Sequence, residues 1–163
     1  MPQLSMQHPV FGGFVLHERA GAIVSIDFGD GGEAADEATQ LLRRAADALA
    51  RYFDGGPLAE DLALAPAGTD YQRRVWAYLR TIPRGETRTY GEVARDVGGS
   101  ARAVGGANRA NPIPILIPCH RVRAADGLGG YCGSSEEGWG LAMKRRLLAL
   151  EGAAFSDGAR RRA

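Results

Sequence analysis

Apolar positions change their period several times along the chain, and each change marks an element. In "GGFVLHERAGAIVSIDFGDGG", residues 12–32, apolar residues alternate or cluster between glycines, which predicts two antiparallel strands joined near Arg19 to Gly21. From Glu33 to Phe53 the period is helical. Ala38, Leu41, Leu42, Ala45, Ala46, Leu49, Tyr52 and Phe53 share one stripe, acids occupy the first turn, and Gly55 and Gly56 follow the end. That stripe is expected to pack on the sheet. Residues 55–68, "GGPLAEDLALAPAG", have no clear period, so a domain boundary is expected near residues 64–69.

Beyond it, Thr69 and Asp70 open a helix with Tyr71, Val75, Trp76 and Leu79 on one face, stopped by Pro83 and Gly85. Residues 89–112, "TYGEVARDVGGSARAVGGANRANP", predict a short helix burying Val93, Ala94 and Val97, a glycine turn, and a second short helix capped by Ser100. Two such helices fit a helix-turn-helix, although as a bare pattern such pairs are more often mere packing. In the second, small residues leave Arg102 and Arg109 projecting, so its backbone can approach a groove closely. Three prolines in "PIPILIP", residues 112–118, exclude a regular helix and predict an extended buried segment leading to Cys119. A Gly-rich loop region follows, then a helix with Leu141, Met143, Leu147, Leu148 and Leu150 mostly inward, and a frayed tail.

At 163 residues with 45% hydrophobic content, the chain suits one ordinary domain or two small ones. No basic start precedes a long apolar core and no run approaches the ~18 apolar residues of a membrane span, so cytoplasmic residence without membrane association is expected. The two cysteines, Cys119 and Cys132, are expected to be free thiols. Charge is uneven: residues 1–69 carry four Arg against ten acids, whereas residues 70–123 carry ten Arg against four. A basic middle third fits a phosphate-binding surface and also a solvated charged face.

Cys119 and His120 stand side by side, and three readings compete. They are a buried thiol with a satisfied core histidine; or part of a metal site, although Cys119, His120 and Cys132 have no CxxC spacing and His8 and His17 are far away; or a nucleophile and its activating base, with Glu151 as the orienting acid. A cysteine hydrolase also needs oxyanion donors and access for water. Here the cysteine follows directly on a candidate DNA-reading helix, and chemistry on a base requires that base to be flipped into a pocket.

"IPCHRV", preceded by "RAVGGANRANPIPIL" and followed by "GGY" and "LLALEG", together with "GTDYQRRVWAYLRTIPRGETRTYGEVA", resembles the O6-alkylguanine-DNA alkyltransferases, or methylated-DNA–protein-cysteine methyltransferases, over roughly residues 68–152. The N-terminal part matches only in outline and in "RYFDGG". The resemblance implies an α/β N-terminal domain over 1–68, a small antiparallel sheet plus helix of ribonuclease H-like type. A mostly helical C-terminal domain over 69–163 then carries a winged helix-turn-helix-like motif. It implies stoichiometric transfer of an alkyl group from O6-alkylguanine in double-stranded DNA to Cys119, by a monomer associated with the nucleoid, without metal or cofactor. O4-alkylthymine is a second possible substrate.

Carried over by position, His120 acts through a bound water with Glu151 hydrogen-bonded to it, and Asn111 braces the turn before the active-site segment. Tyr90 presses on the target phosphate and donates to the base, and Arg102 fills the place of the flipped guanine. Ala101, Ala103, Gly105, Gly106, Asn108, Arg109 and Arg121 complete the DNA-binding set, which docks in the minor groove. Val122, Tyr131, Cys132 and Trp76 edge the base pocket. Two departures stand out: Cys132 replaces the usual small residue after the pocket tyrosine, and residues 134–139, Ser134 to Trp139, form an apparent insertion. An alkyltransferase-like binder lacking the nucleophile and a regulatory DNA-binding module are the rival classes; neither explains the set Cys119, His120 and Glu151.

Overall fold

The computed structural model describes residues 1–29, 38–131 and 138–153. They divide into two compact units: Met1–Ala67 with Pro112–Leu116, and Gly68–Asn111 with the chain from Ile117 onward. Besides the N-terminal residues expected in it, the first unit thus takes five residues from the middle of the sequence.

In the first unit, β1 (Gln3–His8), β2 (Gly12–Arg19) and β3 (Ala22–Phe28) form an antiparallel sheet in that order, with a register shift between His17 and Glu18. The β2–β3 hairpin turns at Ala20 and Gly21, as the alternation predicts. β1 is additional: Leu4 and Met6 alternate with polar residues too briefly to announce a strand. The free edge of β3 is covered by chain, because Ile23 exchanges backbone hydrogen bonds with Ala63 and Ala65 while Ile26 N–H donates to the Pro112 carbonyl at 2.9 Å.

Helix α1 (Gln40–Phe53) starts later than its apolar stripe suggests. Thr39 is the cap, its hydroxyl accepting from Leu42 N–H and donating to the Glu18 carboxylate, so Ala38 lies outside the helix and no acid occupies the first turn. A hydroxyl able to satisfy an orphan amide outweighs a run of acids in setting the start. Residues 33–37 lie outside the described residues. Leu42, Ala45, Ala48, Leu49, Tyr52 and Phe53 are buried, and Phe53 stacks on Phe11 at 4.5 Å and on Phe14 at 5.2 Å. Each large side chain contributes about 1.5–3 kcal/mol of burial. The segment Pro112–Leu116 is bent rather than extended: Ile115 sits at φ +73°, and Leu116 N–H donates to Pro114 O at 2.9 Å. A β-branched residue there is strained by about 1–3 kcal/mol, which complete burial of Ile113 and Ile115 offsets.

In the second unit, α2 (Asp70–Leu79) begins at a Thr69–Gln72 capping box and buries Val75, Trp76 and Leu79. Next come β4 (Arg88–Thr89), α3 (Tyr90–Val97) with a Thr89–Glu92 capping box, and α4 (Ala101–Arg109) capped by Ser100. β4 pairs in parallel with β5 (Val122–Arg123), and α5 (Trp139–Leu150) closes the unit. Val93 and Ala94 are buried, whereas Val97 is only half-buried at the C-terminal end of α3.

The α3–α4 turn is clamped by α2. Tyr71 Oη donates to Gly98 O at 3.0 Å, Arg74 Nε to Val97 O at 3.0 Å, and Tyr78 Oη to Asp96 Oδ2 at 2.6 Å. Gly99 is required there: at φ +79° a Cβ would lie 2.6 Å from Tyr71 Oη. Among the described residues no helix is long and apolar enough to cross a membrane.

Candidate active site

Pro118 sets the local geometry. Its φ of −78° and ψ of 68°, with Cys119 N–H donating to Ile117 O at 2.7 Å, make an inverse γ-turn that suits the fixed proline ring. A single 3₁₀ turn, Cys119–Arg121, follows, and Cys119 is 3% exposed.

Asn111, just past α4, donates from Nδ2 to Ile117 O at 2.9 Å. Burial pushes the Cys119 thiol above its ordinary pKa, opposed by a hydrogen bond from Asn111 and the charge of Lys144. At rest the sulfur is therefore a thiol.

His120 is fully buried, with Nε2 2.9 Å from Glu151 Oε2. A carboxylate accepts, so Nε2 carries the proton and Nδ1 carries the lone pair; Nδ1 is buried and has no hydrogen-bond partner among the described residues. Burial lowers the histidine pKa; Glu151 opposes this, while the charges of Arg121 and Lys144 reinforce it. The ring is thus a neutral base with its lone pair available.

Glu151 stands at the C-terminal cap of α5, where the helix dipole disfavours a carboxylate. Arg121 compensates: Nε donates to Oε1 at 3.0 Å, Nη2 to Oε2 at 2.7 Å, and Nη1 to Ile82 O at 2.7 Å. Arg121, which the resemblance implies as a DNA contact, is only 4% exposed and is a buried partner of Glu151. All three nitrogens of its guanidinium donate, to the carboxylate or to a carbonyl.

Tyr90, the first residue of α3, is half-buried, and its phenol receives hydrogen bonds from the Gly130 backbone and the Asn108 amide. Burial raises its pKa, as does proximity to Cys119, so the phenol stays protonated and able to donate. Gly129 stands behind it at φ +72°, where a Cβ would lie 2.8 Å from Tyr90 Cε2 and Oη. Gly129→Ala is therefore expected to cost about 1–2 kcal/mol from its backbone alone and to displace the phenol, slowing any reaction that uses it about tenfold or more. Urea unfolding alongside single-turnover kinetics checks both effects.

Residues expected on the DNA-facing helix separate by face. Ala101, Arg102, Ala103, Gly106 and Arg109 are exposed on α4, and Gly105 is half-buried. Asn108 points inward, and its Nδ2 donates to Cys119 O at 3.1 Å. Position within the α4 turn, not membership of the helix, decides this. Trp76, expected in the pocket, is a core residue whose indole N–H is spent on Ala107 O at 2.8 Å. Val122 and Tyr131 are buried, and Cys132 lies outside the described residues.

Lys144 was not singled out by the pattern. Fully buried, its ammonium donates to the carbonyls of Val122, Leu128 and Gly130 at 2.7, 2.5 and 2.9 Å, tying the loop behind Tyr90 to α5. That it is the chain's one lysine among nineteen arginines was the available signal: three divergent carbonyls suit a compact ammonium better than a planar guanidinium.

A buried cysteine beside a neutral histidine, on a segment that follows a helix exposing small residues and arginines, defines a class in which nucleophile and DNA-reading helix are one assembly. Residues 70–153 match the family model described as "6-O-methylguanine DNA methyltransferase, DNA binding domain", and the chain belongs to that family. It is similar to the methylated-DNA–protein-cysteine methyltransferase of Methanosarcina acetivorans, 48% identical over 71% of this chain and 72% of that one. The protein of the same name from Mycolicibacterium paratuberculosis is 52% identical over 66% of this chain and 63% of that one. A crystal structure of Mycobacterium tuberculosis OGT in complex with DNA superposes with a TM-score of 0.73 at 36% identity, covering 92% of each chain.

Proposed function

We propose that this chain repairs alkylated DNA by direct reversal, taking the alkyl group from O6-alkylguanine onto its own Cys119. The observation that carries this reading is the buried series Cys119, His120 and Glu151, in which a histidine fixed in one tautomer keeps its lone pair beside the nucleophile's residue. The thiol proton passes through water to His120 Nδ1, and the thiolate attacks the alkyl carbon. An S–C bond forms as the C–O6 bond breaks, and the guanine keeps the electron pair. The Tyr90 phenol donates a hydrogen bond to the departing base as charge develops. The product is a thioether with no carbonyl for water to attack, so each chain acts once.

DNA is the partner. The exposed face of α4, with Ala101, Ala103, Gly105 and Gly106, fits the narrow minor groove; Arg102 takes the place of the flipped guanine, and Arg109 meets phosphate. In this reading α3 and α4 form the helix-turn-helix, with a wing from the β4–β5 region, and the first unit is ribonuclease H-like. The protein acts as a monomer at the nucleoid in the cytoplasm, with Val122 and Tyr131 edging the base pocket and Asn111 bracing its approach.

Titration with duplex carrying labelled O6-methylguanine tests the reading. Label on the protein is expected to saturate at about one per chain; continued turnover contradicts it. The displaced titrations add a pH prediction. Between the lowered His120 and the raised Cys119 values the resting pair is thiol plus neutral imidazole, so the rate is flat across neutral pH. Single-turnover rates at about pH 6 and pH 7.5 are expected to agree within about twofold, whereas an ordinary histidine near 6.5 would lose most of its base form over that interval.

A further inference from the structure

Helix α4 is fixed at both ends, and α2 takes part at each. At the C-terminal end the Trp76 indole N–H donates to Ala107 O at 2.8 Å, while Asn108 Nδ2 donates to Cys119 O at 3.1 Å. At the N-terminal end the joint to α3 is Gly98 and Gly99, both exposed, at φ +93° and +79°. Two glycines have no side chains to pack, so this joint does not set the angle between the helices by itself. The constraint comes from α2. Tyr71 Oη and Arg74 Nε, one turn apart, donate to Gly98 O and Val97 O at 3.0 Å each, and Tyr78 Oη, one turn further on, donates to Asp96. The Arg74 guanidinium lies 5.2 Å from the Tyr71 ring centroid, so cation and ring steady each other in the bonding position. Arg74 is exposed, and bonds to an exposed turn add little to folding stability. What they do fix is direction.

We propose that α2 is a bracket that sets the pitch of the DNA-facing helix, and that Tyr71 and Arg74 are positioning residues for DNA binding, acting through Arg102. The inference rests on the DNA-docking reading above and adds to it the device that aims the helix. Arg102 stands in the first turn of α4, at the end the bracket controls. Nine residues make a helix of about 13 Å, so a tilt of about 10° around the Cys119 end moves that first turn by about 2 Å. Side chains that must meet a partner in one geometry tolerate about 0.5 Å. Cys119 lies beside the fixed end and stays in place. The bracket therefore governs docking and leaves the nucleophile's surroundings alone.

The test is a double-mutant cycle on affinity for a duplex carrying O6-methylguanine, measured by anisotropy at fixed salt in the non-transferring Cys119→Ser chain. Tyr71→Phe with Arg74→Met removes both bonds to the turn and is expected to weaken binding about fivefold to tenfold, the scale of one or two hydrogen bonds. The same pair introduced into Arg102→Ala is expected to weaken binding by less than about twofold, because the side chain it aims is already gone. Urea unfolding of each variant confirms the fold. If the pair does not fold, Tyr71→Phe alone, which keeps the ring beneath Arg74 and changes no charge, carries the same cycle with an expected loss of about threefold. Affinity unchanged within about twofold in a folded bracket variant overturns the inference. Losses that multiply in full with that of Arg102→Ala overturn it too, since Arg74 would then be an independent phosphate contact. Absence of duplex binding by the Cys119→Ser chain itself instead sinks the DNA-docking reading.

Discussion

Cys119→Ser is expected to abolish methyl transfer while leaving DNA binding intact. The substitution is nearly isosteric, and Cys119 sits on a turn shaped by Pro118 and by backbone hydrogen bonds that do not involve the sulfur. A serine hydroxyl titrates far above a thiol, and the neutral His120 cannot produce the alkoxide to a useful extent. The barrier rises by about 4 kcal/mol or more, a loss of about a thousandfold or greater. The α4 face bearing Arg102 and Arg109 is unaffected, so affinity for a lesion-bearing duplex stays within about twofold, giving a protein that holds the lesion without repairing it. Single-turnover label transfer and a binding isotherm on the same variant check the two halves. Residual transfer at the wild-type rate would move the nucleophile to another residue.

Arg121→Met is expected to produce the largest change in stability. Arg121 and Glu151 are buried against each other, and removing one member leaves a charge without its partner, at a cost of about 3–5 kcal/mol. A functional consequence follows from the same geometry. With the guanidinium gone, the Arg121 charge no longer holds the histidine pKa down while the Glu151 carboxylate still raises it, so His120 is driven toward a second proton. Protonated imidazole has no lone pair at Nδ1. The sign is definite: the histidine pKa rises, and the acid limb of the rate profile moves up into the neutral range. Urea unfolding reads the first effect and the pH–rate profile the second. The double variant Arg121→Met, Glu151→Gln is expected to lose less stability than the two single losses added together, because it removes both charges. Strict additivity would contradict the pairing.

Elements announced by local rules were legible in the sequence. Thr69 with Gln72 sets the start of α2 by a capping box, and alternation between glycines gives the β2–β3 hairpin. The start of α1 was misplaced because a run of acids looks like a first turn, whereas the Thr39 hydroxyl is what satisfies the free amide. β1 escaped because an edge strand needs little apolar alternation. The bend at Ile115 escaped because positive φ at a β-branched residue is enforced by burial, which spacing does not reveal.

In the site, the adjacency of Cys119 and His120 was visible, and Glu151 could be named as a partner 31 residues away. Arg121 and Asn108, both expected on the DNA-facing surface, are buried in the structure for one reason. Both are polar residues in a basic, DNA-oriented stretch, and the turn of a short helix or of a 3₁₀ segment points them inward. Charge counted along the chain carries no information about that direction. Lys144 was hidden for the complementary reason, since a lysine on an amphipathic helix ordinarily reaches solvent.

The most direct test of the central claim localises the adduct. The protein is incubated with a duplex containing O6-methylguanine, digested, and its peptides measured by mass. The peptide containing Cys119 is expected to gain one methylene, about 14 Da, on the sulfur, at about one adduct per chain, with guanine restored in the DNA. A methylene found on Cys132, or lesion-bound protein with no mass gain on any peptide, would contradict the account.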